Sequence, residues 1–274
     1  MRETRDMTFT MGPAILFCPA DRPERFAKAA DRADAVILDL EDAVGSERKA
    51  DARAAVLTSS LDPERTIVRL NGTRSAEFAA DLETFERSGY DTVMVPKVQA
   101  PEELAPLAAH RVIALIESAA GVLAAPSIAA LPQVVGLFWG AEDLTVSLGG
   151  TSSRGEDGRY RDVVRHARSS ILLAARAHGK AAIDAINADF TNLDSLTSEA
   201  TDAAASGFTA TACIHPAQVE PIRAAYLPSE ERIDWARRVV EGAASHEGAF
   251  TVDGAMIDEP LIRHAEAMLR RAGR

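Results

Sequence analysis

Apolar residues recur along the chain in eight short runs, and each run is followed by a stretch of helical spacing. The runs are Ala14–Ala20, Ala35–Leu40, Thr66–Leu70, Thr92–Val95, Val112–Ile116, Val134–Trp139, Ala181–Ile186 and Thr209–Ile214. They are apolar nearly throughout rather than alternating, as expected for strands buried on both faces of a parallel sheet. Between them the spacing predicts helices over Pro23–Asp31, with Phe26, Ala27 and Ala30 on one face, and over Glu47–Ser59. A helix over Ser75–Ser88 has Ser75 as a candidate cap and Phe78, Leu82 and Phe85 on its inner face. Others are predicted over Pro101–Ala109, Ala120–Ala130, Tyr160–His178, Leu193–Ser206 and Ala217–Tyr226. Pro101 suits a first helical turn, and Gly179 and Gly207 suit helix ends.

Eight strand-then-helix units predict an α/β fold, a TIM (β/α)8 barrel. An open doubly wound sheet is the alternative. It calls for fewer units and a glycine-rich first turn, whereas the first turn here reads Pro19-Ala20-Asp21-Arg22-Pro23. Closure makes a specific demand: the eighth strand must lie beside the first, bringing Cys18 and Cys213 onto neighbouring strands as buried, reduced thiols. The pattern divides the chain into a flexible N-terminal tail over 1–12, the barrel over 13–228, and a C-terminal extension over 229–274. The extension contains an amphipathic helix (Glu230–Ala244), a glycine-punctuated stretch (His246–Asp258) and a last helix (Glu259–Arg271). At about 45 residues it is too short for a core of its own, so it is expected to pack on its barrel or on a neighbouring subunit.

Composition narrows the function. The 274 residues are 47% hydrophobic, enough for a sizeable core. A net charge of −11 argues against nucleic acid or an anionic membrane as partner, though a local basic rim could still bind an anion. No apolar run approaches the ~20 residues that span a bilayer, and Met1–Thr10 lacks the apolar core of a signal peptide. With two cysteines, a cytoplasmic setting fits best.

In a barrel the site lies at the carboxyl ends of the strands, so the polar residues ending each run are the candidates. They are Asp39, Glu41 and Asp42 after the second run, Arg69 and Asn71 after the third, Lys97 after the fourth, and Glu117 after the fifth. Glu142 and Asp143, Asp184 and Asn187, and His215 complete the rim. Glu117 and Asp143 stand 26 residues apart, one strand-plus-helix unit. Two carboxylates on successive parallel strands suit a hard cation such as Mg²⁺, with waters or a bidentate 2-oxo acid completing its shell. They could equally cap the helices that follow. Arg69 could bind a carboxylate or an enolate oxygen, or pair with the acidic cluster, or both. Within that cluster Glu41 and Asp42 are preferred over Asp39, whose neighbours Leu38 and Leu40 suggest a different facing. Arg22, Arg25 and Lys28 could bind phosphates, as could Lys97, or simply face solvent. His215 is read as structural, and the glycines of Gly149–Gly158 as a possible mobile lid.

Several segments together resemble a known family. Leu16-Phe17-Cys18-Pro19-Ala20-Asp21-Arg22-Pro23-Glu24-Arg25-Phe26 and Val36-Ile37-Leu38-Asp39-Leu40-Glu41-Asp42-Ala43-Val44 are similar to the opening of citrate lyase β-subunit-like proteins. The likeness continues through Val68-Arg69-Leu70-Asn71, Val95-Pro96-Lys97, Ile116-Glu117-Ser118-Ala119 and Gly140-Ala141-Glu142-Asp143-Leu144. It ends with Cys213-Ile214-His215-Pro216-Ala217-Gln218 and Gly254-Ala255-Met256-Ile257-Asp258. The resemblance implies the aldolase/citrate lyase superfamily, with its malyl-CoA and citramalyl-CoA lyases. It implies a homotrimeric barrel that makes or breaks a carbon–carbon bond between an acyl-CoA and a small 2-oxo acid. It assigns Mg²⁺ to Glu117 and Asp143, enolate stabilisation to Arg69, and acidic support near the metal to Glu41 and Asp42. Asp258 becomes a catalytic aspartate reaching a neighbouring subunit, although it could also cap the last helix. The region of Arg22, Arg25 and Lys28 becomes the one that meets CoA phosphates. Ala20 departs from the glycine often found before Asp-Arg-Pro. Alternatives are a CoA-independent 2-oxo-acid aldolase, a synthase or thioesterase variant, and a non-catalytic subunit serving an acyl-carrier protein.

Overall fold

The computed structural model describes residues 9–246 and 248–273. Residues 1–8, most of the segment expected to be a tail, lie outside the described residues. Eight strands form a closed parallel barrel in sequential order. They are β1 (Ala14–Pro19), β2 (Ala35–Asp39), β3 (Thr66–Arg69), β4 (Thr92–Val95), β5 (Arg111–Ile116), β6 (Val134–Trp139), β7 (Ala181–Asp184) and β8 (Ala210–Cys213). β8 pairs with β1 with Leu16 opposite Cys213, as closure requires, and both thiols are free and buried. Burial pushes the Cys18 thiol up to about 11, so it packs as a small apolar group.

Alternate residues of each strand point inward. Ile15, Ala35, Ile37, Ile67, Met94, Ile113, Leu115 and Ile183 fill the barrel, with Phe17 and Ile186 packed at one end. The same alternation continues to the strand ends, where position 39 follows 35 and 37, position 69 follows 67, and position 117 follows 113 and 115. β5 and β6 shift register between Val112 and Ile113, so the interior there takes Val135 and Phe138 instead of an even spacing.

Among the described residues, ten α-helices accompany the strands: α1 (Phe26–Arg32), α2 (Lys49–Thr58), α3 (Phe78–Ser88), α4 (Ala119–Ala129), α5 (Ala141–Ser147), α6 (Asp162–Ala177), α7 (Leu193–Ser206), α8 (Val219–Tyr226), α9 (Glu230–Ala243) and α10 (Glu259–Arg271). Three local readings change. α3 begins at Phe78, because Ser75 Oγ accepts from the Glu77 N–H within a preceding turn. Pro101–Leu107 is a 3-10 helix, consistent with the break that Pro106 imposes on α-helical bonding. On α1 the buried face is Phe26 and Ala29, while Ala27 is exposed.

The chain divides into two compact units, with the boundary between Ile222 and Arg223 inside α8, six residues before the one the sequence pattern predicts at 228. The C-terminal unit has a small core of its own, contrary to expectation: Ala236, Val239, Phe250, Val252, Ile257, Ala265 and Met268. An antiparallel hairpin supplies part of it, β9 (Phe250–Val252) and β10 (Ala255–Ile257). Asp253 and Gly254 turn the hairpin with φ of 52° and 80°, the left-handed pair that a tight two-residue turn requires. Among the described residues, no helix is long and apolar enough to cross a membrane.

Candidate active site

A cavity of about 810 Å³ opens at the carboxyl ends of the strands. Phe17, Leu115, Phe138 and Ile186 give it apolar walls; Asp39, Asp42, Arg69, Glu117, Asp143, Arg154 and Asn187 are among its polar ones.

Arg69 ends β3, and Asp39 ends β2 directly opposite it in the parallel register. Side chains in register on neighbouring strands share a face, so the two meet inside the barrel. Arg69 Nε donates to Asp39 Oδ1 at 2.7 Å and Nη2 to Asp39 Oδ2 at 2.6 Å, a bidentate pair. Asp39 therefore faces the site, which corrects the preference for Glu41 and Asp42 over it. Leu38 and Leu40 face the opposite way from Asp39, as alternation demands. Asp39 is also fixed from behind, accepting from the Glu41 and Ala43 N–H groups at 2.8 and 3.2 Å. The Arg69 guanidinium lies 4.8 Å over the Phe17 ring. Its five N–H donors exceed the two that Asp39 takes.

Glu41 is buried, with Oε2 2.7 Å from Arg69 Nη1 and Oε1 accepting from Lys97 Nζ at 2.7 Å. The Arg69 contact is an ion pair off the N–H direction, since Oε2 has no hydrogen-bond donor. Burial raises the Glu41 pKa, and Arg69 and Lys97 oppose the rise. Asp42 is exposed, 4.0 Å from Arg69 and 3.6 Å from Lys97. Lys97 thus sits among carboxylates, with Asp143 Oδ1 also 4.0 Å from its ammonium. Burial works against its charge, but the Glu41 hydrogen bond and the charges of Glu41, Asp42 and Glu117 outweigh it and raise its pKa.

Glu117 follows β5 and is only 4% exposed. Its Oε1 accepts from the Lys97 backbone N–H at 3.0 Å, and Lys97 adopts a left-handed φ of 58° there. A non-glycine residue in that region carries a cost of order 1–3 kcal/mol that surrounding structure must hold in place. Gly140 clears room for the same carboxylate: a Cβ on it would lie 2.8 Å from Glu117 Oε2. Burial, then the charges of Asp143 and Glu41, push the Glu117 carboxyl up to about 8. Asp143 lies in the first turn of α5, a few residues beyond the end of β6, with its side chain 46% exposed. The carboxylates of Asp39, Glu41, Asp42, Glu117 and Asp143 thus stand around Arg69 and Lys97, and Arg154 is a further cation on the cavity wall. Among the described residues, no group of three or more His, Cys, Asp or Glu side chains is arranged to hold a metal ion. Glu117 and Asp143 can supply two oxygen ligands, leaving most of a hard cation's shell to water or substrate.

The other candidates fall elsewhere. Arg22 and Arg25 are exposed in the turn after β1, near Asp21 and Glu24 at 3.9 and 4.0 Å; Lys28 is exposed on α1. None of the three walls the cavity. His215 is structural: its Nδ1 accepts from Ala217 N–H, Gln218 completes the capping box, and its ring stacks on Phe190. Asp184 is consumed by Trp139 Nε1 and a bidentate Arg168. Asp258 belongs to the C-terminal unit, where its side chain accepts from Leu261 N–H as the cap of α10. The Gly149–Gly158 segment is tied down by Ser153 to Glu142 and by Arg154 to Glu199, Arg154 also lying 3.9 Å over Tyr160.

A closed parallel barrel with a buried arginine and an acidic ring at its carboxyl rim defines a TIM-barrel enzyme. The family model for HpcH/HpaI aldolase/citrate lyase matches residues 14–216, and the chain belongs to that family. It is 54% identical to a citrate lyase subunit beta-like protein of Mycobacterium tuberculosis, over 96% of each chain. It is 32% identical to human mitochondrial citramalyl-CoA lyase, over 92% of this chain and 83% of that one. The crystal structure of protein CitE from M. tuberculosis in complex with magnesium, acetoacetate and coenzyme A aligns with a TM-score of 0.93 at 54% identity, covering 97% of this chain and 99% of that one.

Proposed function

We propose that this protein is a Mg²⁺-dependent carbon–carbon lyase that forms or cleaves a β-hydroxyacyl-CoA of the citramalyl-CoA or malyl-CoA type, joining an acyl-CoA to a small 2-oxo acid. The observation that carries the reading is the rim cluster, where the carboxyls of Glu117 and Asp143 share a cavity with an Arg69 clamped by Asp39. The donor set fits the metal. All its ligands are oxygen, Glu117 is a buried carboxyl whose charge needs a counter-ion, and Glu41 Oε2 is buried without a hydrogen-bond donor. The magnesium, acetoacetate and coenzyme A of the M. tuberculosis structure, and the citramalyl-CoA lyase relative, support the same substrates here.

Glu117 and Asp143 would hold the Mg²⁺. When bound, Mg²⁺ supplies a Lewis acid for the keto oxygen of the 2-oxo acid. Arg69 donates to substrate oxygens and stabilises the negative charge that develops on the thioester oxygen as the enolate forms. Asp39 and Glu41 hold the guanidinium in one orientation and keep it charged. Asp258, reaching the site from a second copy in a homotrimer, takes the proton from the α-carbon of the acyl-CoA in the condensing direction and returns it in cleavage. A carboxylate is a weak base for such a proton, so enolate stabilisation by Arg69 carries much of the rate. Arg22, Arg25 and Lys28, at the rim beside β1, are the surface for the CoA phosphates. Two free, buried cysteines support a reducing, cytoplasmic setting.

The test is turnover of the purified chain with citramalyl-CoA and malyl-CoA, compared with the free hydroxy acids, with and without Mg²⁺. Asp143→Ala is expected to abolish Mg²⁺-dependent turnover with the fold intact. Turnover unchanged in that variant refutes the ligand assignment. Reaction of the free acids alone would instead favour a CoA-independent aldolase.

A further inference from the structure

Lys49 opens α2 and is only 8% exposed. A buried ammonium ordinarily pairs with a carboxylate. This one has three acceptors, and all are neutral: Leu40 O at 2.5 Å, Glu41 O at 2.8 Å and Asn71 Oδ1 at 3.0 Å. An ammonium has three N–H donors, so every donor has a partner. Two of the acceptors are successive carbonyls at the point where the chain leaves β2 and delivers Glu41. Asn71 closes the arrangement, with its Nδ2 donating to Leu40 O at 3.0 Å and to Asp81 Oδ2 at 2.6 Å. Asp81 is in turn gripped by Arg53 at 2.8 Å. The turn that Lys49 grips is short and closed, since Val44 N–H donates back to Glu41 O at 3.1 Å.

We infer that Lys49 is a positioning residue for the lyase site. It acts through the Leu40–Glu41 backbone to fix the Glu41 carboxylate against Arg69 and Lys97. Glu41 reaches two cations with its two oxygens, and Arg69 can keep its orientation toward substrate only while both Asp39 and Glu41 hold it. Asp39 is anchored by its own strand, whereas Glu41 lies beyond the strand end and has no sheet partner. The buried ammonium supplies that anchor. It also places a positive charge beside the acidic ring without consuming any of its carboxylates. An acidic residue in place of Asn71 would pair with Lys49 more strongly but would add to the negative excess at the rim; the neutral amide avoids this.

The inference rests on the proposed lyase reading, and the experiment separates the two. Lys49→Met, Glu41→Gln and the double variant are compared in the full-length chain for kcat and KM. Amide hydrogen exchange over residues 40–44 is measured in parallel, independently of turnover. A small displacement of a catalytic group costs on the order of 10–100-fold in rate. Lys49→Met is therefore expected to lower kcat by about that factor, with little change in KM, and to speed exchange at residues 40–44 by at least about tenfold. Added to Glu41→Gln it should cost less than about threefold more, because the carboxylate it positions is already gone. Full additivity of the two losses, or unchanged exchange at residues 40–44, overturns the inference. Should Lys49→Met not fold, Lys49→Arg, which keeps the charge but changes the donor geometry, is carried through the same cycle with the same two deciding outcomes. Absence of turnover in the unsubstituted chain refutes the lyase reading, and the exchange measurement then still decides whether Lys49 holds the turn.

Discussion

Glu117 makes the proposed Mg²⁺ site a proton-coupled one. Burial first, then Asp143 and Glu41, push its carboxyl from 4.5 to about 8. The difference corresponds to roughly 5 kcal/mol disfavouring the charged form, at about 1.4 kcal/mol per pH unit. A metal ligand must be ionised, so below pH 8 the cation must displace a proton. Apparent Mg²⁺ affinity should rise about tenfold for each pH unit between 6 and 8 and level off above, so that binding at pH 6 is about 100-fold weaker than the plateau. Isothermal titration in two buffers of different ionisation enthalpy should find close to one proton released per metal at pH 6.5. The same shift has a consequence for the metal-free fold. The folded state holds this proton up to about pH 8, while the unfolded chain releases it near 4.5. Between those values the native state binds more protons than the unfolded one, so stability falls as pH rises through the window and is flat outside it. The melting temperature of the metal-free protein should decline from pH 5 to 8, and saturating Mg²⁺ should restore more of it at pH 8 than at pH 6. Affinity independent of pH from 6 to 8, with no proton release, would refute both the buried carboxyl and its role as a ligand.

Asp39→Asn should reduce kcat by roughly 10–100-fold and cost about 3 kcal/mol in urea unfolding, because it leaves a buried guanidinium short of its bidentate partner. Gly140→Ala places a Cβ 2.8 Å from Glu117 Oε2 and 3.2 Å from Glu117 Cβ; the backbone φ of −120° tolerates alanine, but crowding of the buried carboxyl should cost about 1–3 kcal/mol in urea unfolding and lower Mg²⁺ affinity by about tenfold. Mixing Asp258→Ala with Arg69→Ala subunits should restore part of the activity if sites are shared between copies, and recovery indistinguishable from zero after subunit exchange would place the base elsewhere. Arg25→Glu should raise KM for the CoA thioester and weaken its salt dependence while leaving kcat within about twofold.

The barrel was legible because eight apolar runs of strand length alternate with helical stretches, and closure followed from their number. What the sequence obscured was facing. Asp39 looked misdirected because it lies between two leucines, yet the inward set of β2 is 35, 37 and 39, and the apolar residues on both faces hide that alternation. A strand buried on both sides carries no polar face to set the phase. The phase comes instead from the register with β3, where Arg69 stands opposite. The charge and rim position of Lys97 suit a phosphate contact or a solvent-facing side chain. The turn it occupies has a left-handed backbone and directs its N–H to Glu117, and no propensity marks lysine for that conformation. The C-terminal hairpin carried a readable signal, Asp253-Gly254 between apolar residues, although its strands are only three residues long. Asp258 had no local signal beyond that of a helix cap, and only the resemblance to a family singled it out.

The cations of the rim differ in how they are held, and that difference assigns their work. Arg69 is gripped by Asp39 through two hydrogen bonds and by Glu41 through an ion pair, so its position is set before any substrate arrives. Lys97 has one hydrogen-bonded carboxylate and two more at 3.6 and 4.0 Å, on a long side chain that is 41% exposed. A flexible ammonium among carboxylates is a replaceable counter-ion, whereas a clamped guanidinium is preorganised to meet developing charge. Lys97→Met should therefore tighten Mg²⁺ binding or leave it unchanged, because the ammonium competes with the metal for the charge of Asp143. Arg69→Lys, which keeps the charge and loses the bidentate fork, should lower kcat by roughly 10–1,000-fold without weakening Mg²⁺ binding. Metal titrations and single-turnover rates on the two variants decide between these roles, and loss of Mg²⁺ affinity in Lys97→Met would show that the lysine supports the metal site instead.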